Sequence, residues 1–527
     1  IGSLIAQPKN WIEIHSALSL MYAVLNQPTI DSVGQYILQF YNSIINCCMP
    51  DQPPRLRETA LFLFNLLFKN YPQCILQLSH NDARQKIESI LRLFEQISFS
   101  ITPQMQLTHD DLTILSRCSF VLSRLAAVYS THTFEDQISS FFDRFIAVSR
   151  RLFAIGQSNE SQDLISKSAE SISQSVLCKS YEAQDKLPGL YEEIFTDFEN
   201  LSGEGIKNNI LFHLQAEYCS IITSFVIRFR DARQYQFIEQ IAHRTLEKLF
   251  ALPHNSYSKL YDEFLITVSS FIRAASNNPD QKIFGPDYLD TILLKLFEAL
   301  NSGSPQLIKS ASLLLGQIYA STIAPPDYLI FHFERIYSLL GQLLFTFDHR
   351  SVYPKILLAI GHMFRSPQFG KVGQNPFRSL SFNEVPVEES LKQLMLLGAK
   401  YLDELDFMNK KDRKYGNKIA QYLVLVYGGY AKNFYCTTDI NIEREQLCLL
   451  DKLARTIYKL YPNIDPEVIL EFAYTCKLFG ENCSRRNNVV LNRQSNHRIL
   501  KIVHEWDSGD KRIIRKALEA IEFIKNK

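Results

Sequence analysis

The chain has 527 residues, 46% of them hydrophobic and 21% charged, with a formal net charge of +1. That length can bury a large core, while the near-neutral balance supplies neither a basic field for nucleic acid nor an acidic one. Its apolar runs are short and broken by Lys, Arg, Asp or Gln, so no 18-residue membrane span is expected.

The chain opens on "IGSLIAQPKNW", which has neither a start methionine nor a signal-peptide pattern, and is expected to be a piece of a longer protein cut at its N-terminus. From there on, apolar residues recur at i, i+3, i+4 and i+7 in one stretch after another. "SALSLMYAVL", "ETALFLFNLLF", "SIITSFVIRF", "FLITVSSFIRAA" and "AQYLVLVYGGYA" are examples, and alternating strand patterns are essentially absent. The fold class is therefore all-α. "CCMPDQPPR", "ALPHNSYSK", "NSGSPQ" and "TIAPPD" punctuate the helices into pairs. The ten cysteines form no CxxC pair and most sit within apolar helical runs, which points to buried thiols in a reducing compartment and not to metal or disulfide use.

First helices of successive pairs are expected to begin near Trp11, Arg55, Leu112, Asp163, Leu211, Lys259, Gln306, Ser351, Lys414, Asp465 and Lys511. A helix pair recurring every ~40–47 residues is the mark of HEAT-type repeats. One such pair cannot bury its own apolar face, so pairs stack and share a core that grows lengthwise. The expected architecture is an α-solenoid (superhelix) of about eleven HEAT-type helix pairs, one continuous array over 1–527, the rival being an irregular helical bundle. The longest spacing, Ser351 to Lys414, requires an inserted loop at 370–386. Gly316 and Gly361 occupy the same place in consecutive pairs. Glycine within a helix costs about 1 kcal/mol against alanine, so both are expected where helices approach closely. Pro354 falls early enough in its helix to be tolerated.

"DHRSVYPKILLAIGHMFRSPQF" resembles a first helix in the C-terminal half of the importin-β family, whose pattern there is HRSVKPxILxxxGDIAxAIGxxF. His349, Arg350, Ser351, Val352, Pro354, Ile356, Leu357, Gly361 and Phe369 carry the match. "NWIEIHSALSLMYAVL" is similar to the family's NWRxRDAAxxAFGxIL helix, and "PRLRETALFLFNLL" to its VVRDTAAWTVGRI helix. The closing "SGDKRIIRKALEAIEFIKNK" is similar to its lysine-rich last helix. The resemblance implies roughly the C-terminal 60% of a nuclear transport receptor, lacking the N-terminal repeats. In that family, inner helices bind importin-α or cargo proteins with basic signals, outer helices bind Phe-Gly nucleoporins, and Ran GTPase, mainly through the N-terminal repeats, releases cargo. Cytoplasm, nucleus and nuclear pore are the implied locations.

Capturing a basic segment requires carboxylates on the second helices and apolar platforms for arginine stems. Candidate acids are Glu192, Glu193, Asp197 and Glu199, then Asp287 and Asp290, Glu334, and Asp403, Glu404 and Asp406. Where the family places tryptophans that clamp importin-α, this chain has Phe62 and Phe120, and Ile521 in the last helix. That departure weakens the importin-α reading and favours direct cargo binding. A slot for the ring of a Phe-Gly repeat is expected from Leu313, Leu314, Ile318, Leu358 and Met363.

Two basic stretches, Asn409–Lys418 and Cys483–Arg498, read as solvated loops without aromatic interleaving, so nucleic acid is not an expected partner. The sequence has no HExxH, GxSxG or GxxxxGK[ST], and no catalysis, cofactor or metal is expected. A non-transport HEAT scaffold, of the phosphatase or chromosome-organising type, is the alternative.

Overall fold

The computed structural model describes residues 10–26, 31–102, 105–130, 135–178, 181–201, 206–277, 284, 286–347, 349–369, 381–382, 385–406 and 408–433, with positions 468, 471, 472 and 475. The expected starts at Asp465 and Lys511, the Cys483–Arg498 stretch and Ile521 lie outside them. The chain divides into two compact units, Ile1–Ala274 and Ala275–Lys527.

In the first unit the first helices of each pair are α1 (Trp11–Leu25), α4 (Pro54–Asn70), α7 (His109–Ser130), α9 (Gln162–Val176) and α11 (Asn208–Asp231). Of the shorter helices, α2 (Asp31–Leu38) packs on α1 and on α5 (Pro72–Leu76), while α3 (Tyr41–Cys47) and α5 pack on α4. The second helices are α6 (His80–Phe99), α8 (Glu135–Ser158), α10 (Tyr181–Glu199) and α12 (Tyr235–Phe250), and α13 (Ser258–Ser276) runs to the unit boundary. In the second unit α15 (Pro305–Ala320), α17 (Tyr353–Phe364) and α19 (Lys410–Asn433) are first helices, and α14 (Pro286–Leu300), α16 (Pro326–Thr346) and α18 (Val387–Asp403) are second helices. Every described first helix begins within about four residues of its expected start. Between α17 and α18, within the expected insertion, Ser381–Phe382 (β1) pairs antiparallel with Val385–Pro386 (β2).

Local chemistry sets these boundaries. The Asn10 side chain accepts the Glu13 N–H at 3.0 Å to cap α1. Thr108 and Asp111 form a reciprocal box at the head of α7, each side chain accepting the other's backbone N–H, at 3.1 and 3.2 Å. Prolines stand in the first turn of α4, α15, α16 and α17, where the missing N–H would lack a helical partner anyway. Pro354 is one of them.

First helix stacks on first helix: α1 on α4, α4 on α7, α7 on α9 and α9 on α11, and in the second unit α15 on α17 and α17 on α19. Gly316 and Gly361 sit at such joints, as expected. A Cβ on Gly316 would stand 3.2 Å from the Ala359 Cα of α17. A Cβ on Gly361 would stand 2.6 Å from Leu425 Cδ2 of α19.

The core is rich in aromatic rings. Tyr191 stacks on Phe195 with centroids 5.6 Å apart and meets Phe225 edge-on at 5.5 Å. Buried hydroxyls pair across joints: Ser119 with Ser168 at 2.9 Å, Ser149 with Ser171 at 2.7 Å, Tyr191 with Thr245 at 2.6 Å, and Thr223 with Thr267 at 2.9 Å. Tyr337 and Ser390 form another in the second unit, at 2.9 Å. Cys47, Cys48, Cys118 and Cys219 are thiols within the core. Burial pushes Cys47 up to about 11 and Cys118 up to about 12.

Two sequence expectations need correction here. Helix α11 does have the length and composition of a membrane span, because its charges are few. Its residues are mostly buried in the stack, and the Arg228 guanidinium donates to the Cys178 carbonyl at 3.1 Å, which marks it as a core helix. The basic stretch at 409–418 is not a loop: from Lys410 onward it forms the opening turns of α19.

Candidate functional site

Helix α10 carries four of the candidate acids, and all four are engaged by arginines one repeat away. Arg150 of α8 donates to Glu193 at 2.5 Å and to Asp197 at 3.0 Å. Arg244 of α12 forks onto both oxygens of Glu199 and reaches Glu192 at 3.0 Å. The same device appears one joint earlier, where Arg144 of α8 bridges Glu95 and Glu88 of α6 at 2.6 and 2.7 Å. Lys186 of α10 adds a bond to Asp143 of α8 at 2.5 Å. Consecutive second helices are thus laced by ion pairs along one face. Bonding to Arg244 holds the Glu199 carboxyl below its ordinary range. At Glu88 burial works the other way, but the bonds from Arg144 and Arg92 prevail and lower it.

The carboxylates paired with Arg150 are largely solvent-exposed, Glu193 keeping 63% and Asp197 51% of its side-chain surface. Such pairs are typically worth up to ~1 kcal/mol and weaken with salt. A basic ligand could exchange into them without uncovering a buried charge. Sequence reasoning found the acids and missed their partners. The signal was the repeat period itself, since each arginine stands about one period from its carboxylates.

The remaining acids do not join this face in one uniform row. In the second unit Asp290 of α14 accepts the Tyr328 hydroxyl of α16 at 2.7 Å, while Asp287 and Glu334 are exposed. Asp403 is the last residue of α18. Glu404 and Asp406 lie beyond that helix in a turn, where Asp406 accepts the Met408 N–H at 3.0 Å, so they are not on a second-helix face.

The aromatic platforms lie elsewhere and already carry cations. Phe62 is on α4 and Phe120 on α7, both first helices, so the structure does not bring them to the acids of α10. The Arg117 guanidinium sits 4.2 Å from the Phe62 ring centroid. Phe120 is flanked by Arg124 at 4.7 Å and Lys167 at 4.5 Å. Of the residues expected to line a Phe-Gly slot, Leu314, Ile318 and Met363 are fully buried core residues. Leu313 of α15 and Leu358 of α17 are partly exposed, on helices that meet at Gly316.

A buried polar cluster ties α9, α11 and α13 together. The Glu217 carboxylate accepts from Ser166 Oγ at 2.6 Å and from the Lys259 ammonium. His213, one turn earlier, lies 3.0 Å from Ser166 Oγ and 3.1 Å from the Gln162 carbonyl. Burial, with Lys259 nearby, holds the imidazole below its ordinary value. Burial and the charges of Glu217 and Asp262 push Glu263 up to about 7. No group of three metal-ligating side chains occurs among the described residues.

No protein-family model and no curated protein sequence matches the chain. Solved structures do. Importin β crystallised from polyethylene glycol superposes with a TM-score of 0.70 at 14% identity, covering 98% of this chain and 58% of that one. Kap95 in its complex with Nup1 gives 0.68 at 14% identity over 99% and 56%. Kap95 bound to RanGDP gives 0.56 at 14% identity over 99% and 57%. The fold is that of the HEAT-repeat karyopherin solenoids, and the chain spans a little over half the length of those proteins.

Proposed function

We propose that this chain is part of a nuclear transport receptor of the importin-β kind. The observation that carries the reading is the importin β fold running over 98% of the chain. Kap95, of the same fold, is known in complexes with Nup1 and with RanGDP, which suggests the partner classes for this chain: Phe-Gly nucleoporins and Ran. In this reading the second-helix face holds cargo with basic signals, or the importin-α adaptor. Carboxylates that hold this chain's own arginines in exposed pairs can hold those of a ligand. The platforms at Phe62 and Phe120 already bear cations, so direct cargo binding is favoured over the importin-α clamp. Phe-Gly rings enter between first helices α15 and α17, with Leu313 and Leu358 as the accessible walls. The protein works in cytoplasm and nucleus and passes the pore between them.

The test is retention on an immobilised Phe-Gly repeat segment against the same segment with every Phe replaced by Ser. Retention on the first and not the second is expected, and Leu313→Asp with Leu358→Asp reduces it. Equal behaviour on both resins would remove the reading. Binding of an importin-α N-terminal basic peptide at low salt then decides between adaptor and direct cargo.

A further inference from the structure

Between second helices α8 and α10 the ion-pair lacing crosses a groove with two cavities. One, of about 420 Å³, has a floor of Phe153, Ile172, Ile194, Tyr218 and Ile221, with Arg150 and Asp197 at its wall. The other, of about 450 Å³, lies between Phe142 and Ile146 of α8 and Gly189 and Leu190 of α10, with Arg150 and Glu193 at its wall. Arg150, bonded to both acids, is therefore the partition between them. Both volumes fall within the range of ligand-binding pockets, ~300–1,000 Å³.

The sequence of α10 explains why a groove opens at this joint. Pro188 stands inside the helix, where it removes one ladder N–H and crowds the Gln184 carbonyl. Gly189 follows, and a Cβ there would touch nothing within 4 Å, so the side chain that could plug the second cavity is missing. The floor of the first cavity is preformed. Tyr218 is 6% exposed and held by Phe153 edge-on and Phe198 face-on, both with centroids 5.4 Å away. A rigid apolar floor favours a ligand side chain that loses water on entry.

The rim selects a charge. Lys186 and Asp143 offset each other, while Arg150 faces two carboxylates, which leaves the groove one negative charge in excess. Glu193 and Asp197 also face solvent, so a second cation can reach them without displacing Arg150 completely. Gln157 and Asn200 at the rim of the first cavity offer amides to a peptide backbone.

We propose that this groove is a peptide-binding site: the cavity floored by Tyr218 takes one large apolar side chain, and Glu193 and Asp197 take a lysine or arginine within two residues of it. This deepens the carrier reading and rests on it. It assigns to the second-helix face a recognition element that is apolar first and basic second, beyond charge alone.

The test uses the full chain and a fluorescein-labelled 12-residue Gly/Ser peptide carrying one Phe and, two residues on, one Arg. Anisotropy titrations are run at low and physiological salt, alongside the Phe→Ala and Arg→Glu peptides. Either change is expected to lower affinity at least tenfold. Ala154→Trp, at an exposed rim position, should abolish binding while leaving the melting midpoint and Phe-Gly retention unchanged. Arg150→Ala should tighten binding, because it frees both carboxylates. Binding that survives Ala154→Trp and disappears only with salt would overturn the proposal, since the contact would then be electrostatic without an anchor. No binding at low salt by a chain that is retained on Phe-Gly resin would overturn it while leaving the carrier reading intact. Failure of both assays would remove both.

Discussion

Gly361 of α17 lies so close to Leu425 of α19 that a methyl group added to the glycine would come within 3 Å of two Leu425 carbons. Alanine is the better helix former by about 1 kcal/mol, but forcing a methyl into a closed joint costs ~1–3 kcal/mol. Gly361→Ala is therefore expected to lower stability by about 1 kcal/mol. Gly189→Ala, into open space, should raise it by up to about 1 kcal/mol. Urea midpoints of the two variants check the pair, and equal stabilisation by both would refute the close approach.

Arg144 makes a two-pronged bond to Glu95 and a third contact to Glu88, with all three side chains about two-thirds covered or more. Arg144→Ala should cost about 1–2 kcal/mol, more than the same change at the more exposed Arg244. Arg144→Lys should recover little, because an ammonium cannot fork onto one carboxylate. Denaturant midpoints at low and high salt measure both effects, and the Arg144 difference should shrink with salt.

Glu263 gives stability a definite pH slope. Its folded carboxyl titrates at about 7 against an ordinary 4.5, so between those values the folded chain holds a proton that the unfolded chain has released. Its contribution to stability is full below about 4.5 and is lost as pH rises through 7. His213 acts oppositely: its lowered value withdraws stability as pH falls below its ordinary 6.5. The informative quantity is therefore the difference between wild type and Glu263→Gln. The variant's melting midpoint should gain on wild type steadily from pH 5 to 8. A constant difference would contradict the assigned titration.

The buried thiols should behave as core atoms. With Cys47 near 11 and Cys118 near 12, almost no thiolate exists at neutral pH, and Cys48 and Cys219 are raised as well. A thiol reagent is expected to modify these four at the rate of unfolding. Fast labelling of Cys118 in native buffer would show that the joint between α4 and α7 opens.

Much of the fold was legible because helix pairs must share their apolar faces, and that need repeats with the chain. The helices that begin at Trp11, Pro54, Gln162, Ser258 and Pro305 start within one residue of where periodicity and punctuation alone place them, at Trp11, Arg55, Asp163, Lys259 and Gln306. The glycines at 316 and 361 could be read as joints because nothing else justifies glycine inside an apolar helix. The candidate site was harder to read. The acids of α10 stand out as a cluster, but their ties to Arg150 and Arg244 depend on which turn of one helix meets which turn of the next. Leu314 and Leu313 look alike in a helical run, and only the stacking angle buries one and leaves the other in reach. The α8–α10 groove depends on Pro188 and Gly189 loosening one joint among several. A pattern of apolar residues does not report that.

The hydroxyl pairs in the core bear on how such a chain can change over time. Ser119 needs Ser168, Thr223 needs Thr267 and Tyr191 needs Thr245, each pair bridging one joint and no other. A repeat transplanted, duplicated or deleted would take the partner from Ser119, Thr223 or Tyr191, at a desolvation cost of about 1–3 kcal/mol for each hydroxyl left unpaired. Thr245 and Thr267, by contrast, also bond the Ile241 and Glu263 carbonyls of their own helices. The repeats thus share a shape without being interchangeable: each is keyed to its own two neighbours, and the array has a fixed order as well as a period.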